Sequence, residues 1–202
     1  RRGLETLVLA SLTVGCSPYP ESPDRPALDP GEAGEQAMAD YDANGDGRID
    51  REEAEKCPGL LDAFERVDKN GDGVVDADEI AERIRYYSTA GTTIVSGSVT
   101  VKIGRRPLRG ATVKFEPEPF LGSAFSECVG TTNEEGIALL EGPDAEFPGI
   151  YLGMYRVRIS TADNGGKESV PAKYNTETIL GYEAADDIPL VSKGITFELD
   201  RK

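Results

Sequence analysis

The chain has 202 residues, with 22 Lys and Arg against 37 Asp and Glu, a net charge of −15, and neither histidine nor tryptophan. That length holds one or two small domains. The missing histidine removes imidazole general bases, Ser-His-Asp triads and His-ligated zinc, and three scattered cysteines cannot form a Cys₄ zinc site. No basic patch is visible, so nucleic acid is not an expected partner.

Taken in chain order, residues 1–16, RRGLETLVLASLTVGC, have a basic start, a short apolar run and small residues before Cys16. This pattern reads as an export signal too short to span a bilayer. Its end, LTVGC, resembles a bacterial lipobox, which implies lipidation of Cys16 and a membrane anchor. Glu5 and Thr13 depart from that pattern, and an ordinary cleaved signal is the alternative. Residues 17–31 follow, with five prolines in fifteen positions, and are expected to form an extended spacer.

Residues 32–88 hold 17 acids and 7 bases, a net of −10. Ala37, Met38 and Tyr41 recur at helical spacing. DANGDGRIDREE then runs from Asp42 to Glu53, and DKNGDGVVDADE repeats its pattern from Asp68 to Glu79. Positions 1, 3, 5, 9 and 12 are Asp42, Asn44, Asp46, Asp50 and Glu53 in the first stretch, and Asp68, Asn70, Asp72, Asp76 and Glu79 in the second. A hard cation takes oxygen ligands only, and this spacing wraps carboxylates and one amide around a point. The backbone carbonyls of Arg48 and Val74, at position 7, would add one ligand each. Gly47 and Gly73 stand at position 6, where a tight turn disfavours a Cβ. Ile49 and Val75, at position 8, can join the loops through a short β-bridge.

Both stretches resemble the EF-hand family and match its loop pattern without a departure. The resemblance implies two Ca²⁺ ions, one per loop, which would bring residues 32–88 from −10 to −6. Between the loops, Leu60, Leu61, Phe64 and Val67 form an amphipathic helix, with Pro58-Gly59 ending the helix that leaves the first loop. Ile80, Ile84 and Tyr87 mark a further helix. These stripes are expected to form the shared core of two packed hands. With Met38 as the one methionine here, a constitutively loaded site is expected over a sensor that opens a Met-rich groove.

From residue 92 to 202 the periodicity changes to alternation. Val95, Gly97, Val99, Val101 and Ile103 share one strand face. GRRPLRG is a turn, and Ala111, Val113 and Phe115 point inward. TTNEEGIALLEG reads as strand, turn, strand. Tyr155, Val157 and Ile159 alternate with Arg156 and Arg158, and Ile195, Phe197 and Leu199 close the chain. Six or seven short strands with Gly/Pro turns and no helical stretch point to a β-sandwich. The fold class expected is therefore multidomain α + β: a small helical EF-hand pair joined to an all-β sandwich of about seven strands. The order VSGSVTVKIGRRPLRGATVKFEPE, GTTNEEGIALL, GMYRVRIS resembles the carboxypeptidase regulatory-like domain. That resemblance implies an immunoglobulin- or transthyretin-like sandwich without catalysis, of the version found in planctomycete-type envelope lipoproteins.

The function expected is a calcium-binding protein exported to the cell envelope, at the periplasm or cell surface, and lipid-anchored to a membrane. Its sandwich would meet an envelope protein or polysaccharide. A dockerin-like assembly module and a carbohydrate-binding or adhesion protein are the alternatives. Tyr151, Tyr155, Tyr174 and Tyr182 are the aromatic candidates for a sugar platform, with core packing or a tyrosine corner as the competing role. No nucleophile is paired with a base, so no enzyme is expected. Cys57 and Cys128 either form a disulfide or remain buried thiols.

Overall fold

The computed structural model describes residues 23–142, 149–162, 167–188 and 194–201. The signal, Cys16 and the first part of the spacer lie outside the described residues, as does most of the Asp163–Glu168 loop.

Four helices come first: α1 (Pro30–Tyr41), α2 (Arg51–Ala54), α3 (Pro58–Val67) and α4 (Ala77–Thr89). Asp29 caps α1 through its carboxylate, which accepts from the amides of Gly31 and Glu32, so the last two residues of the expected spacer belong to this helix. The residues before it are not free either. Arg25 donates to the carbonyls of Tyr87 and Ala90, because the last carbonyls of a helix lack partners within it and attract a cation. Pro58-Gly59 opens α3, contrary to the sequence expectation that it ends α2. Proline at the first helical position loses no hydrogen bond and already has the helical φ, and α2 stops after four residues. The apolar stripe of α3 is buried at Leu60, Phe64 and Val67, and that of α4 at Ile80, Ile84 and Tyr87. Helix α1 crosses α4 where Gly34 meets the backbone of Ala77; a Cβ on Gly34 would lie 2.4 Å from the Ala77 oxygen.

Ten short strands follow: β1 (Ile94–Val95), β2 (Ser98–Ile103), β3 (Arg106–Pro107), β4 (Thr112–Pro117), β5 (Cys128–Thr131), β6 (Ile137–Leu139), β7 (Ile150–Tyr151), β8 (Gly153–Ser160), β9 (Gly181–Ala184) and β10 (Ile195–Leu199). They form a pair β1–β7, a four-stranded sheet in which β2 is flanked by β10, β3 and β6, and a second four-stranded sheet β5-β4-β8-β9. Every pairing is antiparallel except β10 with β2, which is parallel. The described residues thus hold more strands than the seven expected. The long strand expected over 95–103 breaks at Ser96-Gly97, where the Gly97 carbonyl accepts from Leu140 and a Cβ would lie 3.1 Å from the Leu140 oxygen. Part of the expected GRRPLRG turn folds back as β3 onto Lys102 and Ile103. Short 3-10 turns at Pro119–Leu121 and Ala172–Tyr174 add helical structure where none was expected. The TTNEEGIALLEG stretch passes from one sheet to the other, its turn held by the Asn133 side chain, which accepts from Glu135 and Ile137.

Alternation decides the faces. Val113, Phe115, Tyr155, Val157 and Ile159 are fully buried, and the Phe115 ring meets Tyr155, Tyr182 and, on β10 of the other sheet, Phe197 at centroid distances of 5.6–6.2 Å. Along β8 and β9, Arg156, Gly181 and Glu183 turn to the opposite face, where α3 lies. The contact is backbone to backbone: a Cβ on Gly181 would fall 1.7 Å from the Pro58 oxygen, and one on Gly59 would fall 2.7 Å from the Tyr155 nitrogen. The buried apolar side chains form one continuous cluster from Ala33 to Leu199. The helical stripes therefore pack against the β-rich region as well as against one another, which corrects the expectation of a core private to the two hands. Gly181→Ala should lower unfolding free energy by about 1–3 kcal/mol through overpacking at this seam; urea denaturation reads it, and unchanged stability would contradict the close approach.

Candidate metal centre

The two twelve-residue loops are near copies in three dimensions. Gly45, Gly47, Gly71 and Gly73 have φ of 75°, 84°, 73° and 85°, values at which an L side chain is strained. In the first loop the Asp42 carboxylate accepts from the amides of Gly45 (2.7 Å) and Gly47 (2.9 Å). Asn44 accepts from Asp46 (2.8 Å) and Asp46 from Arg48 (3.0 Å). The second loop repeats each bond: Asp68 from Gly71 and Gly73, Asn70 from Asp72, and Asp72 from Val74.

The outgoing helices are capped alike. Asp50 accepts from the Glu53 amide while the Glu53 carboxylate accepts from the Asp50 amide, and Asp76 and Glu79 do the same. Each glutamate also reaches across its loop. Glu53 Oε1 accepts from Ala43 (2.9 Å) and Asn44 (3.1 Å), and Glu79 Oε1 from Lys69 (3.1 Å) and Asn70 (3.3 Å). The last oxygen-bearing position of each loop is thereby tied to the backbone at positions 2 and 3. Between the loops, Ile49 and Val75 exchange both backbone hydrogen bonds, at 2.8 and 2.9 Å, with both side chains fully buried. The Arg48 side chain turns away from its own loop and donates to Asp72 at 3.2 Å.

The structure therefore places all ten side-chain candidates, with Arg48 and Val74 at the turn of each loop, around two adjacent loops. The carboxylates are drawn to backbone N–H groups rather than onto one point: among the described residues no three acidic or cysteine side chains stand close enough together to hold an ion. Like charges do not converge on their own. The donor set, oxygens only with one amide and four carboxylates per loop, nevertheless fits a hard cation.

Other candidates resolve differently. Cys57 and Cys128 are both free and buried. Burial pushes the Cys57 thiol well above its usual range and raises Cys128 to about 11, so neither offers a thiolate. The Tyr155 hydroxyl donates to the Tyr151 carbonyl at 2.9 Å from a fully buried ring, the Tyr174 hydroxyl accepts from Asp200, and Tyr182 packs on Phe115. These three rings are used in packing. A groove on the outer face of β4 and β8 is lined by Lys114, Glu116, Arg158, Ser160, Glu168 and Asn175, but its charges answer one another. Arg158 pairs with Glu116 at 2.7 Å and Lys114 with Glu127 at 3.1 Å. Burial raises the Glu168 carboxyl, yet bonds from Ser160, Val170 and Thr161 outweigh it and hold it at about 2.

Sequence reasoning missed the charged groups at the seam below the loops. Glu118 is buried and accepts from the Gly59 amide (2.8 Å) and from Arg156 (3.2 Å). Glu183, with no exposed surface, accepts from Arg66, Arg83 and Tyr87. Nothing local in "GYEA" distinguishes a buried glutamate from one facing water.

Compared with known families, the chain matches the EF-hand model twice, over residues 35–57 and 61–82. The two matched stretches contain the loops just described, and an EF hand implies calcium as its ion. No curated protein and no solved structure matches the chain. Because the Ile49 side chain at the bridge is fully buried, Ile49→Ala should destabilise the protein by about 2–4 kcal/mol, measured by urea unfolding. A change below half a kcal/mol would contradict a structural role for that buried side chain.

Proposed function

We propose that this chain is a calcium-binding envelope protein, with a pair of EF hands in residues 32–88 that takes two Ca²⁺ and a non-catalytic interaction module in residues 92–202. Asp42, Asn44, Asp46, Asp50 and Glu53, with the Arg48 carbonyl, would hold one ion. Asp68, Asn70, Asp72, Asp76 and Glu79, with the Val74 carbonyl, would hold the other. The observation that carries this reading is the duplication itself: two stretches with the same oxygen-bearing residues, the same glycine backbone and the same hydrogen bonds, joined through one β-bridge. A helix enters each loop, α1 the first and α3 the second, which separates the arrangement from a dockerin-like repeat lacking entering helices.

Calcium titration of the chain by calorimetry should show two sites with Kd on the order of 10⁻⁴ to 10⁻⁵ M, near the weaker, extracellular end of the range for such loops. Glu53→Gln and Glu79→Gln should each weaken one site and leave the other. No heat at millimolar calcium would refute the reading, and unchanged affinity in both variants would refute the ligand assignment.

The membrane tether rests on the basic and apolar start, the lipobox-like LTVGC and the proline-rich residues after it. Lipid on Cys16 would hold the protein at the envelope while the β-rich module meets a protein or polysaccharide there. Its likeness to the carboxypeptidase regulatory-like sandwich supports a binding role. In a bacterial host, Cys16→Ser should move the protein from the membrane fraction to the soluble fraction; retention in the membrane fraction would contradict the tether.

A further inference from the structure

We infer that Glu183 on β9 is a positioning residue for the second calcium loop and not for the first, so that one side chain of the β-rich region sets the affinity of one site. The inference rests on the calcium reading above and concerns the two helices that flank that loop. Asp68, the first ligand candidate, is the residue at which α3 ends. Glu79, the last, is the third residue of α4. The gap between these two carboxylates depends on how α3 and α4 stand to each other, and a single buried carboxylate fixes both helices.

From α3, Arg66 donates to Glu183 Oε2, and Asp62, one turn earlier, accepts from the Glu183 amide at 2.9 Å. From α4, Arg83 donates to Glu183 Oε1 at 2.5 Å and Tyr87 donates to the same oxygen. Glu79, Arg83 and Tyr87 are spaced by four and so lie in one line along α4: the ligand candidate at one end, the clamp at the other. Glu183 is 0 % and Arg83 3 % exposed, so water does not compete for these bonds. The first loop also meets the β-rich region, since Arg156 donates to the Lys56 carbonyl after α2 and Tyr41 at the end of α1 meets Phe120, but Glu183 takes no part in that contact. The helices flanking the first loop are α1 and α2, and the hydrogen bonds and ion pairs that hold Glu183 come from α3 and α4 alone among the described residues.

A clamp that fixes the ends of a loop before the ion arrives removes part of the ordering cost of binding. Glu183→Gln keeps the shape and removes the charge. The fold is expected to survive, because Arg83 retains a paired contact with Asp187 at 2.7 and 2.9 Å and Arg66 retains Asp62 at 3.2 Å.

The test is a calcium titration of the whole chain followed by nuclear magnetic resonance, with the amides of Gly47 and Gly73 reporting the two loops separately. Glu183→Gln should weaken the Gly73 loop by about ten-fold and leave the Gly47 loop within about two-fold, the size expected from a lost preorganising contact. Tyr87→Phe, which deletes one hydroxyl from the clamp, should weaken the same loop by a smaller factor, and it serves if Glu183→Gln does not fold. Equal weakening of both loops, or no change in either, would overturn the positioning role. If the wild-type chain shows no calcium response at either glycine, the calcium reading fails and this inference falls with it. A wild-type response with no selective loss in the variants sinks this inference alone.

Discussion

Helix α3 is fixed to the sheet at both ends by buried carboxylates, and the rest of the molecule is arranged around that constraint. At its start Glu118 takes the Gly59 amide; toward its end Glu183 takes Arg66. Between them the helix backbone lies so close to β8 and β9 that only glycine fits at 59 and 181. Burying two carboxylates is costly unless each is paired and hydrogen-bonded, and both are. Burial raises the Glu118 carboxyl above its usual range even so, against the Gly59 and Arg156 bonds that lower it. Pulling either carboxylate away from its partners would leave that carboxylate uncompensated inside the protein, so the seam resists sliding more than an apolar contact of equal area would.

This constraint gives the acidic region something to fold against. Residues 32–88 carry a net charge of −10, and self-repulsion of that size opposes compaction. The helices are short, with α2 a single turn, and helices of this length have little stability of their own. Packing on the β-rich region, the Ile49–Val75 bridge and the Arg25 contact at the end of α4 supply what helix propensity does not. A cation in each loop would relieve the repulsion further, and it would act on side chains whose backbone is already in place.

How far the sequence showed this depends on the range over which each feature is specified. The loops were legible because all their determinants fall within twelve residues: carboxylates at fixed offsets, glycine where φ is positive, and an apolar residue at Ile49 and Val75. The helical stripes through Phe64 and Ile84 and the strand alternation through Phe115 and Val157 were legible for the same reason. Pro58-Gly59 was misread because a proline can follow one helix or open the next, and only the four-residue length of α2 decides. Arg25, Glu118 and Glu183 were invisible because their partners lie 38 to 121 residues away. The break at Gly97 and the parallel β10–β2 pair likewise depend on what lies beside the strand.

Held through α3, the two EF-hand loops and the β-rich region should unfold as one cooperative unit. Scanning calorimetry of the intact chain with and without saturating calcium tests it most directly. A ligand that binds only the folded state stabilises whatever unfolds with its site. One unfolding transition is expected, moving to higher temperature as a whole when calcium is added. Two transitions, with calcium moving the first and leaving the second in place, would contradict it.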